Sequence, residues 1–170
     1  SEEHPLSFKA FFRRNLINQL DSDKKITIDQ LIIPTPENVK EIPDIIADYG
    51  GIDVTYGGFG INGHFAFNSY PDEEVDVEEF ASTGARLINL REGDIVQNGM
   101  AGAWGNLEVI PKQACTLGMS ELLSAKQIHL TFMRTWHSGV LRRALFGPIT
   151  SKFPGSLVQL HANVKATVTK

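Results

Sequence analysis

The 170-residue chain holds a single cysteine, Cys115, so no disulfide can form within it, which suits a reducing compartment. Its setting in "QACTLGM" is strand-like and apolar, and predicts a buried, inert thiol rather than a nucleophile. Charge of one sign is also lacking: the net charge is −4 with acids and bases interspersed, so there is no basic footprint for nucleic acid or an anionic membrane. Arg13-Arg14 and Arg142-Arg143 are isolated pairs on solvated helix faces. No apolar run approaches the length that crosses a bilayer. The opening "SEEHPLSF" has neither signal-peptide nor transit-peptide character, which points to a cytoplasmic protein. Histidine pairs at helical or finger-type spacing are absent, so no metal is expected, and no other cofactor either. What is present is ordinary: 42% hydrophobic and 21% charged residues fit one globular domain over residues 1–170.

Periodicity places the elements. Leu6, Phe8, Phe12, Leu16 and Leu20 recur at helical spacing over 6–20, with Pro5 as a start and Asp21-Ser22-Asp23 as a stop. "LIIP" (31–34) reads as a short strand. "PENVKEIPDIIADYGG" reads as a helix starting at Pro36 or nearer Pro43, with Val39, Ile42, Ile45, Ile46 and Tyr49 inward and Gly50-Gly51 as its end. "IDVTY" (52–56) reads as a buried strand, "ARLINL" (85–90) as another, and the glycine- and asparagine-rich 91–108 as loop or broken helix. "QACTLGM" (113–119) is a strand followed by a helix capped by Ser120. "QIHLTFM" (127–133) is a strand, 137–147 a helix closed by Gly147, "FPGSLVQLH" a short helix and "VKATVT" (164–169) a last strand. This alternation predicts an α/β fold: an open, mostly parallel sheet with helices on both faces.

Ligands of such sheets bind beyond the strands' carboxyl ends. There the chain reads "GGFGINGHFAFNSYPDEE" (57–74). A tight turn accounts for Asn62-Gly63 but not for Gly57, Gly58, Gly60 and Gly63 together. Gly58-x-Gly60-x-x-Gly63 matches a dinucleotide fingerprint formally, but no helix starts inside it and "ARLINL" ends without an acid, so that reading fails. A small-substrate site remains, with glycines bringing backbone amides close to polar oxygens and His64 as the group that titrates near neutrality.

The loop resembles the signature G-G-x-G-x-D-G-H-x-A-F-N-E of glucosamine-6-phosphate deaminases (isomerases); the related 6-phosphogluconolactonases share its first half. "HPLSFKAFFRRNL", "IPKQACTLGMSELLSAKQIHLTF" and "LFGPITSKFPGSLVQLHANVKATVT" resemble further family segments in the same order, so the likeness spans nearly the whole chain. It implies a Rossmann-like sheet and an amino-sugar phosphate substrate. The ring opens, a proton moves between C1 and C2, and ammonia leaves. His64 stands at the histidine that assists ring opening and is oriented by carboxylates. Gly58, Gly60 and Gly63 would hold the sugar.

The chain departs from the pattern at several positions. The aspartate two residues before the histidine is Asn62, as in galactosamine-6-phosphate-type members, and the glutamate after F-A-F-N is Ser69, with Glu73 or Glu74 as candidates to reach back. The phosphate-binding lysine aligns with His137, where a helix start offers amides and Arg134 a cation; the family arginine aligns near Met100. The family's first strand, phosphate loop and enolisation base precede the H-P-x-S helix on which this chain almost begins, and Glu2 and Glu3 do not match the base in position. His64, Asn62 and Ser69 are therefore the candidate catalytic set, and deamination by this polypeptide alone is not expected. The alternatives are a 6-phosphogluconolactonase-like hydrolase and a sugar-phosphate binder without catalysis. Either way the ligand is a small sugar phosphate, and a homo-oligomer is possible. His4 is expected at the surface, His129 in the core or at an edge and His161 in local hydrogen bonds, with Trp104 and Trp136 either beside the sugar or in packing. An enzymatic role requires a cleft beside the imidazole.

Overall fold

The computed structural model describes residues 4, 6–21, 23–24 and 26–169. Glu2, Glu3, Pro5 and Ser22, to which roles are assigned above, lie outside them. Strands β1 (Val54–Gly57), β4 (Gln127–Phe132) and β5 (Val164–Val168) form a parallel sheet in the order β1-β4-β5. Strands β2 (Arg86–Asn89) and β3 (Gln113–Thr116) form a separate antiparallel pair, a reversal that the alternation of elements does not announce.

Strand β4 organises the core because its side chains alternate. Ile128, Leu130 and Phe132 point inward, while Gln127, His129 and Thr131 point to the other face. Against the inward row pack α3 (Val77–Ala81) through Phe80, α5 (Met119–Leu123) through Met119 and Leu122, and α6 (His137–Phe146) through Val140 and Ala144. The 3-10 segment Pro154–Leu160 is the short helix expected there, and its Leu157 and Val158 complete the cluster with Phe59, Phe65 and Phe153. On the opposite face Tyr56, His129 and Lys165 stand in register across the three strands. Tyr56 is 75% exposed, so β1 is buried on one side only.

Helix α1 (Phe8–Asn15) is shorter than the periodic stretch: Ser7 caps it by accepting from Ala10 N, and a 3-10 turn, Ile17–Gln19, follows. Two of its aromatic residues, Phe8 and Phe11, are not core, being more than half exposed, while Phe12 is partly buried. Residues 31–34 are extended but join no ladder. Pro34 has no N–H to give, and the Asn38 side chain takes Ile33 O and Thr35 N as partners instead. Helix α2 (Ile42–Asp48) starts at the later of the two boundaries and ends on Gly50 and Gly51 at positive φ. Tyr49 turns outward, 78% exposed, rather than lining its inner side.

The largest correction concerns 91–108. Residues Glu92–Gly102 form α4, an eleven-residue helix. Glycine is a poor helix former, but here its missing side chain seats neighbours. A Cβ at Gly99 would lie 2.2 Å from Leu107 Cδ2, and one at Gly102 2.5 Å from Leu6 Cδ2. Packing outweighs propensity. Ser120 does not cap α5; Gly118 does, where a Cβ would meet Thr83 O at 2.0 Å.

Candidate functional site

The glycine loop leaves the carboxyl end of β1 and folds back through bridges pairing Phe59 with Phe65 and Phe65 with Asn68. Gly63, at φ +82°, turns it. Gly60 serves close approach: a Cβ there would lie 1.9 Å from His64 Cε1, so the imidazole rests directly on the backbone. The amides of Gly60 and Gly63 donate to His64 O and Gly60 O, so they are spent inside the loop rather than offered to a sugar. Gly58 presses on β4, where a Cβ would sit 2.9 Å from Thr131 O.

His64 is 6% exposed, and its Nδ1 lies 2.8 Å from Asp94 Oδ1 on α4, off the ideal hydrogen-bond line. Asp94 is 1% exposed and takes two more side-chain donors. Asn62 Nδ2 donates to Oδ1 at 3.0 Å, and Ser69 Oγ donates to Oδ2 at 2.6 Å. Burial alone would raise the Asp94 pKa. The hydrogen bonds from His64, Ser69 and Asn62, with the charge of His64, outweigh it and hold the carboxyl below its usual value. Asn62 also accepts from His64 N at 3.1 Å, fixing the turn that aims the ring.

Asp94 is the residue that sequence reasoning missed. Local sequence carried no capping signal for it, because Arg91, three residues earlier at the helix start, has no side-chain acceptor, and the stretch read as loop. Once α4 is a helix, Asp94, Gln97 and Asn98 fall on one side of it. Gln97 Oε1 accepts from Ile61 N at 2.7 Å, and Asn98 Nδ2 donates to Asp94 O at 2.7 Å. Neither candidate for the missing glutamate is bonded to the histidine: Glu74 accepts from Thr150 Oγ1, and Glu73 is exposed.

The second half of the predicted site gathers at the start of α6. Arg134, His137, Ser138 and Gly139 line a cleft of about 850 Å³ together with Phe132, Leu141 and Phe146. Arg134 N donates to His137 Nδ1, and the amides of His137 and Ser138 donate to Arg134 O and Thr135 O, so those two are not free for an anion. Burial lowers the His137 pKa, the Arg134 charge lowers it further, and a hydrogen bond with the Phe59 backbone opposes both. The cations of this cleft at neutral pH are therefore Arg134 and Arg142, which also lines it. His137 contacts the Phe59 backbone while His64 rests on Gly60, so the two histidines flank one short stretch of loop.

His64 itself lines none of the four main clefts of the described residues. The open cleft that an enzymatic role requires beside it is not among them. Its Nδ1 is fully enclosed. Trp136 leans on His137 at 3.8 Å between ring centroids, and Trp104 is fully exposed. His4 Nε2 bonds to Val109 O, far along the chain, and His161 bonds both locally, accepting from Asn163 N, and at a distance, to Ala125 O. His129 Nε2 is enclosed without a partner beside Tyr56. Cys115 is half-buried, and burial followed by the charge of Glu37 raises its pKa, as an inert thiol requires. No described helix is long and apolar enough to cross a membrane.

No family model matches the chain. Among curated proteins it is 31% identical over 170 residues to a glucosamine-6-phosphate deaminase of Clostridium perfringens (strain 13 / Type A), covering 96% of this chain and 65% of the relative. It is 30% identical over 172 residues to the glucosamine-6-phosphate deaminase of Clostridium botulinum (strain Langeland / NCTC 10281 / Type F), covering 100% of this chain and 67% of that one. The chain thus spans about two thirds of the length of the relatives it matches. The fold matches that of a solved monomeric glucosamine-6-phosphate deaminase with a TM-score of 0.80 at 20% identity, over 99% of this chain and 67% of the other.

Proposed function

Because this chain belongs to the glucosamine-6-phosphate deaminase family, we propose that it binds an amino-sugar 6-phosphate and opens its pyranose ring, the first step of the reaction that names its relatives. Ring opening breaks the bond between C1 and the ring oxygen. The C1 hydroxyl gives up a proton and the ring oxygen takes one. A single imidazole performs both transfers when one nitrogen is held and the other faces the sugar. Nδ1 is turned to Asp94, which leaves Nε2 for that work.

One observation carries this reading: a nearly fully buried carboxylate paired with the loop histidine and supplied by Asn62 and Ser69. Burying a charge is costly unless it is paired and hydrogen-bonded, and an ordinary bend gives no reason to incur that cost. Arg134 and Arg142 supply the charge for the phosphate end in the cleft at the start of α6.

The closure around His64 favours a second reading, a protein that holds the sugar phosphate without acting on it. Exchange spectroscopy on the two anomers of glucosamine 6-phosphate separates them. Ring opening predicts that the protein speeds anomer exchange and that His64→Gln abolishes the effect. Thermal stabilisation without faster exchange favours the binder. Neither stabilisation nor exchange sinks both, and hydrolysis of 6-phosphogluconolactone above its spontaneous rate transfers the site to the lactonase alternative.

A further inference from the structure

We propose that Asp94 is the positioning carboxylate of His64, doing with one side chain on α4 what the related signature loop spreads over two. The signature has an acid two residues before the histidine and another directly after F-A-F-N. This chain has Asn62 and Ser69 at those places. Both substitutes are hydrogen-bond donors, and both are turned to the same carboxylate, one to each oxygen. His64 Nδ1 approaches Oδ1, the oxygen that Asn62 also holds. The loop has exchanged two acceptors for two donors, and the acceptor has moved across the interface to α4. Loss of function at the two loop positions does not by itself lead both side chains onto one buried acid beside the histidine.

A purely structural role is the competing account. Asp94 stands third in α4, and its Oδ2 lies 3.4 Å from Arg91 N, a long contact for a helix-start box. That task needs neither His64 nor Asn62 nor Ser69. No other ion pair to the ring occurs among the described residues, and Arg91 sends its guanidinium to Asp72 and over Tyr70. An ionised Asp94 only accepts hydrogen bonds, so it selects the tautomer with the proton on Nδ1. Nε2 then starts as a base: the first transfer takes the proton from the C1 hydroxyl, and the second returns one to the ring oxygen.

The kinetic part rests on the ring-opening reading; the tautomer part does not. Long-range 1H–15N spectra of the histidine-labelled protein, without ligand, are expected to show His64 as one tautomer protonated at Nδ1. In Asp94→Asn the neutral amide is a weaker acceptor, so the spectrum becomes a mixture. Anomer exchange slows at least about tenfold, while the dissociation constant for glucosamine 6-phosphate stays within about threefold, since only positioning is lost. An unchanged tautomer and exchange rate in Asp94→Asn overturn the proposal. If that variant does not fold, Asp94→Ser takes its place and is read by the same spectrum: a mixed tautomer upholds the assignment and an unchanged Nδ1-protonated one overturns it. A wild-type ring protonated at Nε2 overturns it without any variant. If the wild-type protein does not speed anomer exchange, the ring-opening reading fails, and the tautomer spectra still decide the role of Asp94.

Discussion

A methyl group on residue 60 has nowhere to go, because the ring of His64 already occupies its place. Gly60→Ala must push the imidazole off the loop and away from Asp94, at a cost of about 1–3 kcal/mol for overpacking. Urea denaturation reads the cost, and the histidine spectrum reads the displacement; a stable variant with an unmoved ring contradicts the packing described here. At this scale the sequence was legible wherever one residue type could do the job. His64 stood out as the one imidazole in a glycine-rich turn. Asp94 did not, because one aspartate among the chain's carboxylates carries no mark of burial until its helix is known.

Among elements, β4 was legible and α4 was not, for opposite reasons. Strict alternation over Gln127–Phe132 has one explanation, a strand with one face in the core. In α4 the glycines that disguise the helix are the ones that let Leu107 and Leu6 pack against it, a tertiary cause invisible locally. The start of α6 yields a pH prediction. His137 has a folded pKa below its ordinary value, so the unfolded chain binds the extra proton first as pH falls. Stability is full above the ordinary histidine value and is lost as pH drops through it towards the lower folded value. Denaturation at pH 7.5 and pH 5.5 (values of about one unit either side of the ordinary histidine pKa) is expected to show a smaller acid loss in His137→Gln than in the wild type. An equal loss assigns the acid sensitivity elsewhere.

For the molecule as a whole, a parallel sheet was legible from the spacing of strands and helices. Its order was not, nor was the split into two sheets, since both depend on pairings far apart in the chain. In the three-stranded sheet β4 pairs on both sides, while β1 and β5 each pair only with it among the described residues. Hydrogen exchange should therefore find its slowest amides in β4 and faster ones in β5; the reverse order would mean that the sheet does not open from its rims. Helix α4 links distant parts of the chain more directly than the sheet does. Leu6 rests at its far end on Gly102, while Gln97 and Asp94 grip the histidine loop at the Ile61 amide and at the side chains of Asn62, His64 and Ser69. The helix works as a tiller: a tilt imposed near Leu6 at one end shifts Asp94 against the imidazole at the other.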